Sequence, residues 1–148
     1  MSKGKVQAVQ AYKRKVYYYE TDQMGIVHHS NYIRWFEEAR IDFLEKIGLT
    51  MSTIEANGVQ IPVLSVTSNY RQMTRFGEEF EVRMTVEKYN GIKMTITYEV
   101  VDTAEGVVKN TGISEHCFID LEGKVISLKK SHPDMHAVLE KQIGFSTK

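Results

Sequence analysis

The sequence predicts an α+β domain in which one long helix packs against a mostly antiparallel sheet of five strands. Apolar residues recur at helical spacing from Tyr32 to Ile47, and from Ile61 onward they alternate with polar residues at a period of two. Tight turns between the later strands favour antiparallel pairing. A single sheet curled around one central helix would bury the apolar surface of both.

The first two elements are a strand and the long helix. The run KRKVYYYE at 13–20 is rich in Val and Tyr, which is typical of a strand. The apolar stripe of the helix consists of Tyr32, Ile33, Phe36, Ala39, Phe43, Leu44 and Ile47. We expect Ser30 or Asn31 to cap the start of this helix and Gly48 to cap its end.

Four further strands follow a short connection at 51–57 that has a possible helical pattern. Their expected ranges are 61–73, 79–89, 93–102 and 107–121. On the strand at 61–73, we expect Leu64, Val66 and Tyr70 to share one side. On the strand at 79–89, we expect the core-facing residues to be Phe80, Val82, Met84 and Val86. Glu81, Arg83, Thr85 and Glu87 would then face solvent. Asn90 and Gly91 predict a two-residue hairpin turn with positive φ at both positions, and a closing helix is expected near Pro133.

Composition and charge narrow the class of protein. The 148 residues suit one domain spanning 1–148, and nineteen Lys and Arg balance nineteen Asp and Glu, which argues against a nucleic-acid partner. No apolar run approaches the roughly 18 to 20 residues that span a bilayer, and the leading segment lacks the apolar core of a signal peptide. Cys117 is the only cysteine, which excludes an intrachain disulfide. We therefore expect a cytoplasmic protein without a membrane partner.

The segment ETDQMGIVHHSNY at 20–32 joins the first strand to the helix and holds most of the candidate site residues. The ordinary role of Asp22 would be to hold a turn by bonding its own downstream backbone. The functional alternative is that Asp22 acts beside the helix start near His29, where unpaired backbone N–H groups and a partial positive charge suit a developing oxyanion. Gly25 would allow a substrate to approach the main chain, or would serve only the turn.

Metal and nucleophile chemistry have less support. His28 and His29 are adjacent, and His116 and Cys117 should point to opposite faces of a strand, so a set of metal ligands is never completed and we expect no metal. The sequence has no G-x-S-x-G elbow, P-loop or dinucleotide fingerprint. His116 is interpreted as a sheet residue and Cys117 as a small apolar one.

From 17 to 49, YYYETDQMGIVHHSNYIRWFEEARIDFLEKIGL resembles the signature of the hotdog-fold acyl-CoA thioesterases of the 4-hydroxybenzoyl-CoA thioesterase type, including the YbgC-like branch. The positions that match are Asp22, Gly25, Ile26, Val27, His29, Asn31, Tyr32, Glu37, Ala39 and Arg40. RFGEEFEV at 75–82 is similar to that family's turn into its third strand. The order of the predicted elements is also that of the hotdog fold.

The resemblance implies thioester hydrolysis without a cofactor. Asp22 would be the catalytic carboxylate, either attacking the thioester carbonyl or activating water. The backbone N–H of His29, with the helix dipole behind it, would polarise the thioester oxygen. The substrate-binding positions would be Gly25, Val27, Lys88 and Lys93.

The resemblance also implies a homo-oligomer, a dimer with joined sheets or a tetramer of two such dimers. The basic cluster that holds nucleotide phosphates in the hydroxybenzoyl-CoA enzyme is reduced here to Lys88 and Lys93. An acyl-CoA is the expected substrate, with acyl carrier protein as the alternative carrier. Two other functions stay open: a hotdog hydroxyacyl dehydratase that relies on the His29 side chain and an acid partner, and a non-catalytic hotdog protein that binds acyl carriers.

Overall fold

A computed structural model describes residues 8–148, which form one open antiparallel sheet in the order β1-β3-β4-β5-β2. The strands are β1 (Tyr12–Lys15), β2 (Val63–Tyr70), β3 (Glu79–Tyr89), β4 (Lys93–Asp102) and β5 (Val108–Cys117). The helices are α1 (Ser30–Lys46), α2 (Met51–Ala56), α3 (Leu128–Ser131) and α4 (Pro133–Glu140). The expected five-stranded sheet with one long helix is therefore confirmed, and so is the closing helix at Pro133. Residues 1–7, at the start of the segment that lacks the apolar core of a signal peptide, lie outside the described range.

The core lies between α1 and the inner face of the sheet. Trp35 stacks on Phe80 with ring centroids 4.0 Å apart, and Phe36 stacks on Tyr98 at 4.4 Å. The predicted stripe is wrong at two places, because Trp35 is fully buried whereas Ile33 is exposed. Residues three and four apart share a helix face, so Trp35 and Phe36 both lie on the face of buried Tyr32, whereas Ile33 lies at the edge of that face.

The first strand is shorter than its sequence predicts. β1 ends at Lys15, and Tyr18–Glu20 forms a single 3-10 turn where the sequence indicates a continuing strand. The cause is Glu20, whose carboxylate accepts the backbone N–H of Tyr17 at 2.8 Å and so closes the chain into a turn. High β propensity in the tyrosine run is overridden by this contact.

Both ends of α1 have identifiable caps, one of them unexpected. The helix begins at Ser30, and the prediction that Ser30 or Asn31 caps it is wrong, since both lie within the helix. Instead the ring Nδ1 of His28 accepts the backbone N–H of Ser30 at 3.2 Å. At the other end Gly48 has φ of 89°, and Leu49 N–H bonds the carbonyl of Leu44 at 2.8 Å, which confirms the predicted glycine cap.

The β3–β4 hairpin has the predicted strands but a different turn. Gly91 has φ of 88°, whereas no residue other than glycine has positive φ in the described chain, so the two-residue turn predicted at Asn90 and Gly91 is wrong. The side-chain Oδ1 of Asn90 accepts the N–H groups of Ile92 and Lys93, at 2.9 and 2.8 Å, and stabilises a longer loop. On β3 the outward-facing Glu81 is buried, contrary to expectation.

Strand β2 lies at the edge of the sheet and pairs only with β5. It is shorter than predicted, and most of its side chains are exposed, including Leu64 and Tyr70. Leu64, Val66 and Tyr70 occupy alternate positions as expected, but in this chain Leu64 and Tyr70 are exposed and Val66 is half-buried. An edge strand has no neighbouring strand on one side. The alternation of apolar and polar residues in its sequence does not show whether another element covers its side chains.

Candidate functional site

The segment between the 3-10 turn and α1 folds as a small closed loop. Thr21 pairs with Val27 across its base, Asp22 N–H bonds the carbonyl of Ile26 at 2.8 Å, and Gly25 N–H bonds the carbonyl of Asp22 at 3.0 Å. Gly25 has φ of 74°, a conformation that other residues adopt only with strain. The tip of the loop therefore depends on this glycine.

Asp22 is exposed on this loop and has one carboxylate oxygen engaged. Its Oδ1 accepts the backbone N–H groups of Met24 at 2.8 Å and Ile26 at 3.4 Å, which is the turn role expected of aspartate. Within residues 8–148, Oδ2 accepts no hydrogen bond. The turn thus fixes the carboxylate in place and leaves one oxygen open to solvent.

His29 lies at the N-terminus of α1, seven residues after Asp22. Its backbone N–H has no acceptor in the described part of the chain, while its carbonyl accepts the hydroxyl of Tyr70 at 3.2 Å. Its ring lies 4.1 Å from the ring of His28, which is held by backbone bonds to Glu20 and Asn31. A free N–H at a helix start is the kind of donor that stabilises an oxyanion.

Glu20, which the sequence interpretation did not single out, anchors the loop from below. Its buried carboxylate accepts the indole N–H of Trp35 at 2.7 Å and forms an ion pair with Arg14. Its backbone carbonyl accepts the N–H of His28 and the side-chain amide of Asn31, each at 2.9 Å. One residue thereby connects the strand, the loop and the first turn of α1. The available signal was an acid closing an apolar, aromatic run.

A second carboxylate, Glu38 of α1, completes the network around Arg14. Its Oε1 accepts from Arg14 at 2.9 Å and from the hydroxyl of Tyr12 at 2.8 Å. Burial, with Glu38 nearby, raises the pKa of Tyr12 to about 12. Burial alone would lower the pKa of Arg14, but its two carboxylate partners outweigh burial and raise it. The guanidinium therefore stays charged and holds β1 against α1.

The remaining predicted site residues lie at different depths and distances. Val27 is buried beneath the loop, where its N–H bonds the carbonyl of Thr74 at 2.8 Å. Lys88 and Lys93 are exposed at the far end of the β3–β4 hairpin. Phe80 marks the end of β3 near the Asp22 loop, because it stacks on Trp35, which bonds Glu20. Lys88 is eight residues further along β3, which at about 3.3 Å per residue is roughly 26 Å from Phe80. Asp22 and the two lysines are therefore not brought together within one protomer.

An exposed apolar patch borders the loop. Its members are Tyr17, Tyr18, Tyr19, Met24, Met73 and Phe76. Tyr18 and Phe76 meet edge to face with ring centroids 5.5 Å apart. Such a concentration of exposed aromatic side chains is typical of a surface that contacts a ligand or a protein.

His116 and Cys117 are both buried at the end of β5, where the sequence interpretation placed them as structural residues. Burial, assisted by the positive charge of Arg40, lowers the pKa of His116 to about 4. Among the described residues, no group of three or more His, Cys, Asp or Glu side chains could hold a metal ion. No helix within 8–148 is long and apolar enough to cross a membrane.

Residues 16–142 match the thioesterase-like superfamily. The chain is 37% identical over 128 residues to a Bacillus subtilis protein named "Putative acyl-CoA thioesterase YneP", covering 86% of this chain and 92% of that protein. It is 25% identical to the acyl-CoA thioester hydrolase YbgC of Escherichia coli O157:H7, over 79% of this chain and 87% of that one.

A solved structure agrees with the architecture described above. The DHNA-CoA thioesterase of Staphylococcus aureus superposes with a TM-score of 0.83 at 32% identity and covers 89% of each chain.

Proposed function

Because the chain belongs to the thioesterase-like superfamily, we propose that it hydrolyses an acyl-CoA thioester to a free carboxylic acid and coenzyme A. The observation that carries the proposal is the pairing of two groups on one short loop. Asp22 presents an unbonded carboxylate oxygen, and His29 presents an unbonded backbone N–H at the start of α1. Relatives named as acyl-CoA thioesterases support the substrate class.

The two groups would act on opposite ends of the thioester carbonyl. The N–H of His29, with the α1 dipole behind it, would stabilise the negative charge that develops on the carbonyl oxygen. Asp22 would supply the attack on the carbon in one of two ways. It would attack directly, forming a mixed anhydride that water then hydrolyses, or it would take a proton from an attacking water. In both routes water is consumed and the thiolate of coenzyme A leaves.

The test is thiol release over a panel of aliphatic and aromatic acyl-CoAs. Replacement of Asp22 by Asn keeps a side-chain oxygen for the turn but removes the carboxylate, so we expect kcat/KM to fall by about a hundredfold or more. Asp134→Asn, at an exposed site on α4, is the matched control. Unchanged rates in the Asp22 variant would reject the role proposed for this residue.

A joined-sheet dimer would explain the exposed edge. Strand β2 carries exposed Val63 and Leu64, and its free edge is suited to pairing with another strand. A two-fold axis would pair β2 antiparallel with the partner's β2. Each sheet has Asp22 near one end and Lys88 and Lys93 at the other. In the dimer, the Asp22 end of one sheet would then lie next to the lysine end of the partner sheet. Pairing of two such dimers would give a tetramer.

In such a dimer, Lys88 and Lys93 of one chain would meet the phosphates of coenzyme A bound at the loop of the other. Gly25 would let the thioester approach the backbone, and Val27 would support the loop beneath the acyl group. Acyl carrier protein is the alternative carrier, since its phosphopantetheine arm presents the same thioester. Replacing both lysines by Ala should raise KM for acyl-CoA and leave KM for a short pantetheine thioester unchanged.

The alternative functions differ in what they would release. A dehydratase would depend on the His29 side chain, which has no carboxylate within 4.0 Å in the described chain. That function would be favoured if the wild-type protein eliminated water from a hydroxyacyl substrate without releasing thiol, and if His29→Ala abolished this elimination. Binding of acyl carrier protein without any hydrolysis would favour a non-catalytic role.

We also propose that the whole chain, 1–148, is a single domain and that it acts in the cytoplasm. The continuous sheet and core of residues 8–148 support the first statement. A single cysteine, Cys117, is typical of a reducing compartment and supports the second.

A further inference from the structure

A cavity of about 110 Å³ lies between the second half of α1 and the inner face of the sheet. It is separate from the Asp22 loop, which is at the other end of the helix. Most of its lining is apolar and includes Phe43, Met84, Met94 and Ile96. Three polar side chains also reach it, Glu37 and Arg40 from α1 and His116 from β5.

Arg40 brings a positive charge to this cavity that the described chain does not neutralise. Arg14 is also half-buried and packs near α1, but it has two carboxylate partners, Glu20 and Glu38. Within residues 8–148, Arg40 has no carboxylate within 4.0 Å, and its guanidinium donates to the hydroxyl of Tyr98 at 3.1 Å. A partly buried cation without a counter-charge favours an anionic ligand.

The hydrogen bonds that start at Arg40 fix the direction of a chain of donors. Because Tyr98 accepts from Arg40, its own proton is free for Ser114 at 2.6 Å, and the Ser114 proton is then free for His116 Nε2 at 2.7 Å. In this arrangement of the hydroxyl protons, His116 is a neutral ring that carries its proton on Nδ1. In the described structure Nδ1 lies near the carbonyl of Pro62 but makes no hydrogen bond.

Arg40 and His116 therefore both offer donors to the cavity and Arg40 is charged, whereas the carboxylate of Glu37 lies at the opening. The ligand that matches is an acceptor with negative charge at one end and an aliphatic chain at the other. We propose that this cavity binds a small monocarboxylic acid, with its carboxylate between Arg40 and His116 and its chain among the methionines. The imidazole is 1% exposed, so its unsatisfied N–H is costly unless such an acceptor is present.

The size of the cavity limits the length of the acid. A volume of about 110 Å³ is somewhat smaller than the roughly 150 Å³ of an apolar cavity that admits benzene, which suits about four to six carbons. Met51, Met84 and Met94 line it, and unbranched thioether side chains adjust readily to different chains. Glu37 and Met51 are exposed members of the lining, so the cavity reaches the surface beside them.

A carboxylic acid is also the product class of the proposed thioester hydrolysis, so the site would sense product. That connection rests on the proposed function, whereas binding itself does not. Glu37 at the opening would repel the ligand, so Glu37→Gln should tighten binding by about two- to threefold.

The experiment is a titration of the full chain, labelled with ¹³C at its methionine methyl groups, with butanoate and hexanoate. We expect the methyl signals of Met84 and Met94 to shift and saturate, while that of exposed Met24 on the Asp22 loop does not. Hexan-1-ol has the same chain without the charge and should bind at least tenfold more weakly. Arg40→Gln should weaken hexanoate binding by about tenfold or more.

Equal binding of hexanoate and hexan-1-ol to the wild-type protein would overturn the proposal, even if the Arg40 variant fails to fold. Shifts confined to Met24 would also overturn it, because they place the acid at the loop. The Asp22→Asn protein should give the same titration as wild type. Failure of the catalytic role proposed for Asp22 and failure of the proposed cavity site can thus be distinguished. Thiol release measures the first, and the methyl shifts measure the second.

Discussion

The indole N–H of Trp35 donates a 2.7 Å hydrogen bond to the buried carboxylate of Glu20. Trp35 is on α1 and Glu20 ends the 3-10 turn, so this bond ties the helix to the segment that leads into the Asp22 loop. Arg14 neutralises the same carboxylate from β1. A charge buried in this way is retained only because each of its oxygens is engaged.

Replacing Glu20 by Gln should destabilise the fold, because the buried Arg14 would lose its main counter-charge. The expected loss is about 3 kcal/mol in the free energy of unfolding, measured by urea denaturation. Glu45→Gln, at an exposed acid on α1, should change it by less than about 0.5 kcal/mol. Equal stability of the two variants would show that Glu20 does not hold the loop.

Gly112→Ala should also be destabilising, for a steric reason. A Cβ at this position of β5 would lie 2.3 Å from Cε2 of Phe36 and 2.9 Å from the carbonyl oxygen of Thr67. Phe36 is stacked on Tyr98 and has little room to move, so we expect a loss of about 2 kcal/mol or more. Gly123→Ala has open space around its Cβ and strain only from a φ of 82°. Thermal unfolding of the two variants should place Gly112→Ala lower.

Stability should fall in mild acid because of His116. Its pKa is lowered from 6.5 to about 4, so the folded protein favours the neutral ring. In the unfolded chain this histidine binds a proton near pH 6.5, whereas in the folded chain it binds one only near pH 4. Its contribution to the free energy of unfolding is therefore fully present above pH 6.5 and is lost as the pH falls from 6.5 to 4. The loss attributable to this residue is roughly 3 kcal/mol.

The measurement is urea denaturation of wild type and His116→Gln from pH 7 to pH 4. Carboxylates contribute acid sensitivity to both proteins, so the difference between them isolates the histidine. We expect the stability of the variant to decline less steeply across this interval. Parallel curves would mean that His116 is not held neutral in the folded state.

Leu64→Lys should weaken self-association if β2 forms the interface between copies. A charge on this edge would oppose burial against a second apolar strand. Leu121→Lys, at an exposed turn after β5, serves as the matched control. Light scattering after size exclusion should show a smaller particle for Leu64→Lys only. A wild-type protein that is monomeric at all concentrations would contradict the joined-sheet dimer.

The parts of the fold that follow from local pattern were predictable from sequence. The helical spacing after Tyr32 and the alternation from Phe80 to Val86 each depend on neighbours in the chain. The long helix and the buried positions Phe80, Val82, Met84 and Val86 are confirmed, apart from the departures at Ile33, Trp35 and Glu81. Gly48 has its helix-capping conformation for the same reason.

The differences arise where a distant residue decides. Tyr18–Glu20 leaves the sheet because the Glu20 carboxylate that accepts the N–H of Tyr17 is held in place by Trp35, fifteen residues away. The capping role of His28 depends on how the loop enters the helix, which a preference for Ser or Asn at caps does not reveal. At the candidate site, Asp22 and His29 are close in sequence and could be selected from it, whereas the chain of donors from Arg40 to His116 joins three elements.

The positions of Asp22 and Lys93 at opposite ends of one sheet have a consequence for mixed assemblies. A chain that lacks the acid and a chain that lacks the lysines would each be impaired alone. In a hybrid of the two built as the proposed joined-sheet dimer, one of the two clefts would combine the intact acid of one chain with the intact lysines of the other. Co-expression of two defective genes would then restore part of the turnover that neither supports by itself.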